Sequence, residues 1–278
     1  MKNALIRTIT GAAFVALIVA CLLHPYSFVV LTLLVTVVLL HEFYTLTIGT
    51  KDTLLKCMGL LTAVVTFLLI SLSTADIIDA KYISLSILCC IAIIVCAVMM
   101  LRNRELKEIT KVAYVFTGLL YIATPMSLSN LVVFHDGTFN GMPILCFFAI
   151  IWCSDVGAYL LGSTFGQKAG SRKLCPSISP KKSWIGFWGG VLAAVAGAVI
   201  LQVLHLFDAS LLHSIVLGVI ISVAGVFGDL FESIWKRAFG VKDSGFIVPG
   251  HGGLLDRFDS TLAAMPVGCV YMVLFDLL

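Results

Sequence analysis

The sequence predicts an all-α, polytopic integral membrane protein with about nine transmembrane helices and a cytoplasmic N-terminus. Three observations predict it. Charged residues make up only 12% of the chain, roughly half the share of a soluble domain. Mean hydropathy is +1.09, and apolar runs near the length that crosses a ~30 Å hydrocarbon core recur along the chain. Finally, 17 of the 18 Lys and Arg residues fall on one side of the alternating spans. A β-barrel would instead read as short alternating segments.

The spans are predicted at 4–23, 26–48, 54–75, 82–101, 112–134, 142–162, 184–206, 211–229 and 261–278. The first, with Lys2 and Arg7 ahead of an apolar stretch and Val19-Ala20-Cys21 at its end, has the look of a signal peptide. It is read as an uncleaved helix because many spans follow it. Counted from the N-terminal side, the basic residues group as Lys2 and Arg7; Lys51 and Lys56; Arg102, Arg104, Lys107 and Lys111; five residues between Lys168 and Lys182; and Lys236, Arg237, Lys242 and Arg257. Lys81 alone faces the other way, so the N-terminal side is expected in the cytoplasm. The nine cysteines form no C-x-x-C pair and read as small apolar residues. The chain divides into N-terminal helices over 1–140, about five spans, and a C-terminal region over 141–278 with cytoplasmic loops at 163–183 and 230–260.

Charge concentrates in that C-terminal region. Residues 229–259 hold nine of the 33 charged side chains, more than a solvated loop requires. If the eighth helix continues past Asp229, then Asp229, Glu232 and Lys236 share one face. Acids at a membrane boundary are costly unless paired or metal-bound. Asp256 and Asp259, three apart, point the same way on a helix and suit a shared hard cation. Pro249-Gly250-His251-Gly252-Gly253 cannot continue a helix, and its glycines let backbone amides approach an anion. Asp155 lies within the sixth span, where a charge is either a site residue or half of an interhelical ion pair. Pro180-Lys181-Lys182-Ser183 precedes the seventh span. Ser183 is a candidate N-cap, and the two lysines are either topology anchors or phosphate ligands. Carboxylates, glycine-rich backbone and basic side chains together suit a Mg²⁺-bound polyphosphate. An ion-coupled transporter of an anionic substrate is the alternative.

The run SIWKRAFGVKDSGFIVPGHGGLLDRFD from Ser233 to Asp259, the preceding GDLFE, the SDVGAY stretch at 154–159 and SPKKSW at 179–184 resemble the phosphatidate cytidylyltransferase family. The N-terminal half matches mainly in hydropathy, with His41-Glu42-Phe43-Tyr44 similar to an acidic-aromatic patch of an early family helix. Ile185 stands where that family commonly has Glu, and Ser163 where it often has Arg. The resemblance implies a reaction of CTP, or dCTP, with phosphatidate in the bilayer to give CDP-diacylglycerol and pyrophosphate. It also implies Mg²⁺, a second, monovalent cation such as K⁺, a homodimer, and a bacterial inner membrane with the active site facing the cytoplasm. The family's metal site corresponds to Asp229, Asp256 and Asp259.

On that basis Lys236, Arg237, Lys242 and Arg257 are expected to bind phosphates, joined by Lys181, Lys182, Ser183 and Ser233. The turn at Gly250, Gly252 and Gly253 is expected to cradle pyrophosphate. His251 either donates to a phosphate oxygen or is a turn residue. Asp243 is expected to pair with Lys242 or Arg237, and Asp155 to orient a basic residue or bind the second cation. A phosphate monoester is largely dianionic at neutral pH, so no His–Asp general base is sought.

Overall fold

The computed structural model describes residues 2–100, 106–135, 137–206, 209–247 and 252–278. Gly250 and His251 lie outside the described residues. By their contacts the residues form two units. One is Met1–Phe139 with Asp243–Arg257, and the other is Asn140–Lys242 with Phe258–Leu278. The segment Asp243–Arg257 therefore folds with the N-terminal helices, although sequence position groups it with the C-terminal region.

The first unit holds α1 (Lys2–Cys21), α2 (Pro25–Thr47), α3 (Thr53–Thr74), α4 (Leu85–Met100), α5 (Leu106–Gly118), α6 (Thr124–Val133) and a hairpin of β1 (Phe134–His135) with β2 (Thr138–Phe139). Pro25 starts α2, where its missing N–H costs nothing. Pro125 is harder to place, because it cannot donate to the carbonyl four residues back. The chain answers with a π-type turn over Leu119–Ala123, in which Thr124 N–H reaches Leu119 O. The turn lets α5 and α6 run on as one apolar span, Ile109–Val133. Tyr44 anchors the core. It is fully buried, and its hydroxyl donates to Val115 O at 3.0 Å. A Cβ at Gly59 or Gly118 would fall within 2.9 or 2.5 Å of its ring, so the ring's seat requires glycine on both neighbouring helices.

The second unit contains α7 (Met142–Thr164), a hairpin of β3 (Lys173–Cys175) with β4 (Ser179–Ser183), α8 (Trp184–Val203), α9 (Leu211–Ala238) and most of α10 (Leu255–Leu274). Small residues set its helix spacing. A Cβ on Gly157 of α7 would meet Ala193 Cβ at 2.4 Å and Gly189 O at 2.6 Å on α8. One on Gly228 of α9 would meet Asp259 O of α10 at 2.5 Å. Close backbone approach through glycine is how helices associate in lipid, where apolar burial supplies no driving force between them.

Among the described residues, six helices are long and apolar enough to cross a bilayer: Pro25–Thr47, Thr53–Thr74, Ile109–Val133, Met142–Thr164, Trp184–Val203 and Leu211–Ala238. The other predicted spans fall on shorter apolar stretches at Ile9–Cys21 and Ala80–Val95 and on α10, whose first turns carry Asp256 and Asp259. Exposed apolar side chains such as Leu61, Leu192 and Leu212 make outer faces suited to lipid. The protein is an all-α polytopic membrane protein.

Candidate active site

Six elements of the second unit, α7, β3, β4, α8, α9 and α10, line one cavity of about 530 Å³. From α7 comes Asp155, from β4 come Lys181 and Lys182, from α9 Asp229, and from α10 Ser260. Tyr159 and Phe187 supply apolar wall. Ser183, the last residue of β4, caps α8 by accepting from Gly186 N–H at 3.2 Å, the N-cap role its position predicts. The two lysines thus sit at the positive end of a helix dipole. The hairpin that presents them is tied down by Gln167. Its Nε2 donates to Lys181 O at 2.8 Å and to Gly162 O at 3.2 Å, and its Oε1 accepts from Lys173 Nζ at 2.7 Å.

Lys182 Nζ lies 2.7 Å from Asp229 Oδ2, and Ser233 Oγ donates to Asp229 Oδ1 at 3.4 Å, one turn along α9. Asp259 feels Asp229 and Asp155 as like charges and Lys236 as an opposite charge. Lys236 also pairs with the buried Glu232, so its ammonium is shared with an internal acid as well as any ligand. Arg237 Nη1 donates to Val241 O at 3.1 Å across the end of α9. Lys242, Asp243 and Arg257 are exposed.

The other acid, Asp256, belongs to the first unit. Its Oδ2 accepts from Ser244 N–H at 2.9 Å, Gly253 N–H at 2.8 Å and Ser244 Oγ at 3.1 Å. Glu42, on α2 and 4% exposed, accepts the N–H groups of Leu254 at 3.0 Å and Leu255 at 2.8 Å. The Gly253 amide is spent on Asp256, so in this arrangement it is not offered to an outside anion. Gly252 takes a φ of +86°, which glycine accepts without strain, and a Cβ there would meet Asp256 Oδ2 at 2.8 Å. The glycines make room for an anion, as their pattern implies, but the anions beside Gly252 and Gly253 are the chain's own carboxylates. Sequence reasoning gave Glu42 no role. Its signal was an acid in an otherwise apolar helix.

Among the described residues, no three of His, Cys, Asp and Glu already converge as a metal cage. Mg²⁺ seldom uses one. It keeps water and takes one or two carboxylates together with substrate phosphates. Hard carboxylate oxygens on Asp155 and Asp229, which line the cavity beside Lys181 and Lys182, with Asp259 near enough to feel both acids, fit that mode.

Fold and site together define a helical membrane protein with a carboxylate–lysine pocket. Residues 5–275 match the cytidylyltransferase family, and the chain belongs to that family. It is 39% identical over 157 residues to a phosphatidate cytidylyltransferase of Staphylococcus epidermidis, covering 56% of this chain and 54% of the relative. Against the Bacillus subtilis protein of that name it is 44% identical over 127 residues, 46% of each chain. The Rickettsia bellii protein of that name is 34% identical over 164 residues, which cover 57% of this chain and 68% of the relative. The chain thus spans about half the length of the staphylococcal and Bacillus relatives it matches.

Proposed function

We propose that the protein transfers a cytidylyl group from CTP to phosphatidate, giving CDP-diacylglycerol and pyrophosphate. A phosphate oxygen of phosphatidate forms a bond to the α-phosphorus of CTP. The bond from that phosphorus to the bridging α–β oxygen breaks, and pyrophosphate leaves with the electron pair. The nucleophile is already anionic near neutral pH, so the obstacle is repulsion between two anions. The observation that carries the reading is the cavity with Asp155, Asp229, Lys181 and Lys182 on its walls and Asp259 in electrostatic reach. The family and the names of the relatives support the same assignment.

In this mechanism Asp229, Asp256 and Asp259, the residues that match the family's metal site, would hold Mg²⁺. Bound Mg²⁺ supplies charge neutralisation on the triphosphate. Lys181 and Lys182 bind phosphate oxygens at the capped start of α8. Asp155 orients a lysine or holds a second, monovalent cation. Arg257 reaches phosphate from the exposed side of α10. Apolar helix faces hold the acyl chains. The active site is read as facing the cytoplasm of a bacterial plasma membrane, in a chain that crosses it about nine times and forms a homodimer.

The test is pyrophosphate release by the purified chain in detergent micelles, with CTP and phosphatidate each present or omitted. Release only when both are present, and lost with EDTA, is expected. Binding of substrate with no turnover would replace the enzyme reading by the transporter one.

A further inference from the structure

We infer that Glu42 is a positioning residue for this reaction: its carboxylate fixes Ser244 and the first amides of α10, and through them the direction of Asp256. The inference rests on the cytidylyl-transfer reading above. Every group in it belongs to the first unit.

A helix start leaves N–H groups without intrahelical partners, and a side chain next to them usually accepts one. α10 is preceded by Gly253 and Leu254, which carry no side-chain oxygen. Glu42 supplies the acceptors from more than 200 residues away in sequence. Oε1 takes the Leu254 N–H and Oε2 the Leu255 N–H. Oε2 also accepts from Ser244 Oγ at 3.2 Å.

The seat is cut for a carboxylate. A Cβ on Gly245 would lie 2.6 Å from Glu42 Oε1, and one on Gly253 would lie 2.6 Å from Oε2. No larger residue fits at either place without moving the acid. The same Ser244 hydroxyl is 3.1 Å from Asp256 Oδ2. It has one proton and two carboxylates within reach, so Glu42 and Asp256 are held in a fixed relation. Ser244 N–H and Gly253 N–H complete the hold on Asp256. Asp256 is aimed by the turn, and the turn is held by Glu42.

Glutamine at position 42 keeps one acceptor but turns its NH₂ toward an amide N–H, donor against donor. Aspartate is one methylene short of spanning both amides. Glu42→Gln and Glu42→Asp, as full chains in detergent, are compared with wild type by two measurements. The first is amide hydrogen exchange. Faster exchange within 243–255 is expected, with exchange in α7, α8 and α9 unchanged. The second is pyrophosphate release as a function of Mg²⁺. We expect kcat to fall by about tenfold to a hundredfold, the size of effect that a small misplacement of a catalytic group produces. The Mg²⁺ concentration for half-maximal rate should rise, while KM for phosphatidate stays within about twofold.

A merely structural role would lower the yield of folded protein and leave kcat per folded molecule and the Mg²⁺ midpoint at wild-type values. That result, or unchanged exchange at 253–255, overturns the inference. If Glu42→Gln does not fold, Ser244→Ala removes only the shared hydroxyl and should move the Mg²⁺ midpoint the same way by a smaller factor. A wild-type midpoint there also overturns it. A wild-type chain that releases no pyrophosphate at all sinks the functional reading, and the exchange data still decide whether Glu42 holds the turn.

Discussion

Replacing Lys182 with methionine separates its two tasks. Its ammonium lies 2.7 Å from Asp229 Oδ2, with the two side chains 24% and 33% exposed. At an effective dielectric constant near 20, Coulomb attraction at that distance is about 6 kcal/mol. Desolvation and side-chain ordering cancel most of it. A pair exposed to this degree lies between a surface pair, worth about 0–1 kcal/mol, and a buried one, which costs about 3–5 kcal/mol when broken. Lys182→Met should therefore destabilise the fold by about 1–2 kcal/mol. Asp229 would keep Asp259 as a like-charged neighbour with a counter-charge removed. Turnover should suffer more. Losing one preorganised cationic donor to developing phosphate charge costs about 10²–10³-fold in rate. Lys182→Arg keeps the charge but changes a point donor into a planar fork, and about a tenfold loss is expected. The assay is pyrophosphate release per folded molecule, with CTP and phosphatidate varied separately and folding checked by thermal unfolding in the same detergent. If Lys182→Met keeps kcat/KM for CTP within about twofold of wild type, Lys182 is only a structural partner of Asp229 and its assignment to phosphate fails.

Other outcomes follow from the same geometry. Asp259→Ala should yield folded protein without measurable turnover at any Mg²⁺ concentration, and near-normal rates would remove Asp259 from the cation site. Gly157→Val should destabilise the second unit by about 1–3 kcal/mol, read as a lower unfolding temperature, because its Cβ would meet Ala193 Cβ at 2.4 Å and backbone at 2.6 Å. Reporter fusions at Leu278 and within 163–183 should report opposite sides of the membrane; matching sides would mean that the span count between them is wrong.

The parts of the site that were legible in the sequence share one property: each depends on spacing within a single element. α9 continues to Ala238, so Asp229, Glu232 and Lys236 lie on one helical face, as their spacing implies. Ser183 caps α8 because its residue type and its place before an apolar run leave it little else to do. Asp155 stood out because a charge within an apolar span is costly unless used, and it does line the cavity. What stayed hidden depends on contact between distant segments. The β3–β4 hairpin is short, rich in lysine and serine, and carries no alternation of apolar and polar residues to announce it. Glu42 bonds to amides more than 200 residues downstream, and backbone donors leave no mark on residue type.

Gly252 and Gly253 explain why the same pattern supports two chemistries. Glycines beside an N–H-rich turn admit any anion, and sequence cannot distinguish a phosphate from a carboxylate of the chain. The energetics decide which is present. A carboxylate tethered by the fold is already at the turn and loses little further freedom on binding it, whereas a free anion must give up translational and rotational freedom. In the structure Glu42 and Asp256 take the amides of Gly253, Leu254 and Leu255. Lys181 and Lys182, assigned to phosphate under the proposed function, stand at the cavity that Asp155 and Asp229 also line. Asp256 thus accepts backbone amides as well as carrying its assignment to Mg²⁺, while Asp155 and Asp229 share a cavity with lysines. That division of labour is why Glu42 is expected to move the Mg²⁺ midpoint through Asp256, while Lys182 is expected to move kcat/KM for CTP directly.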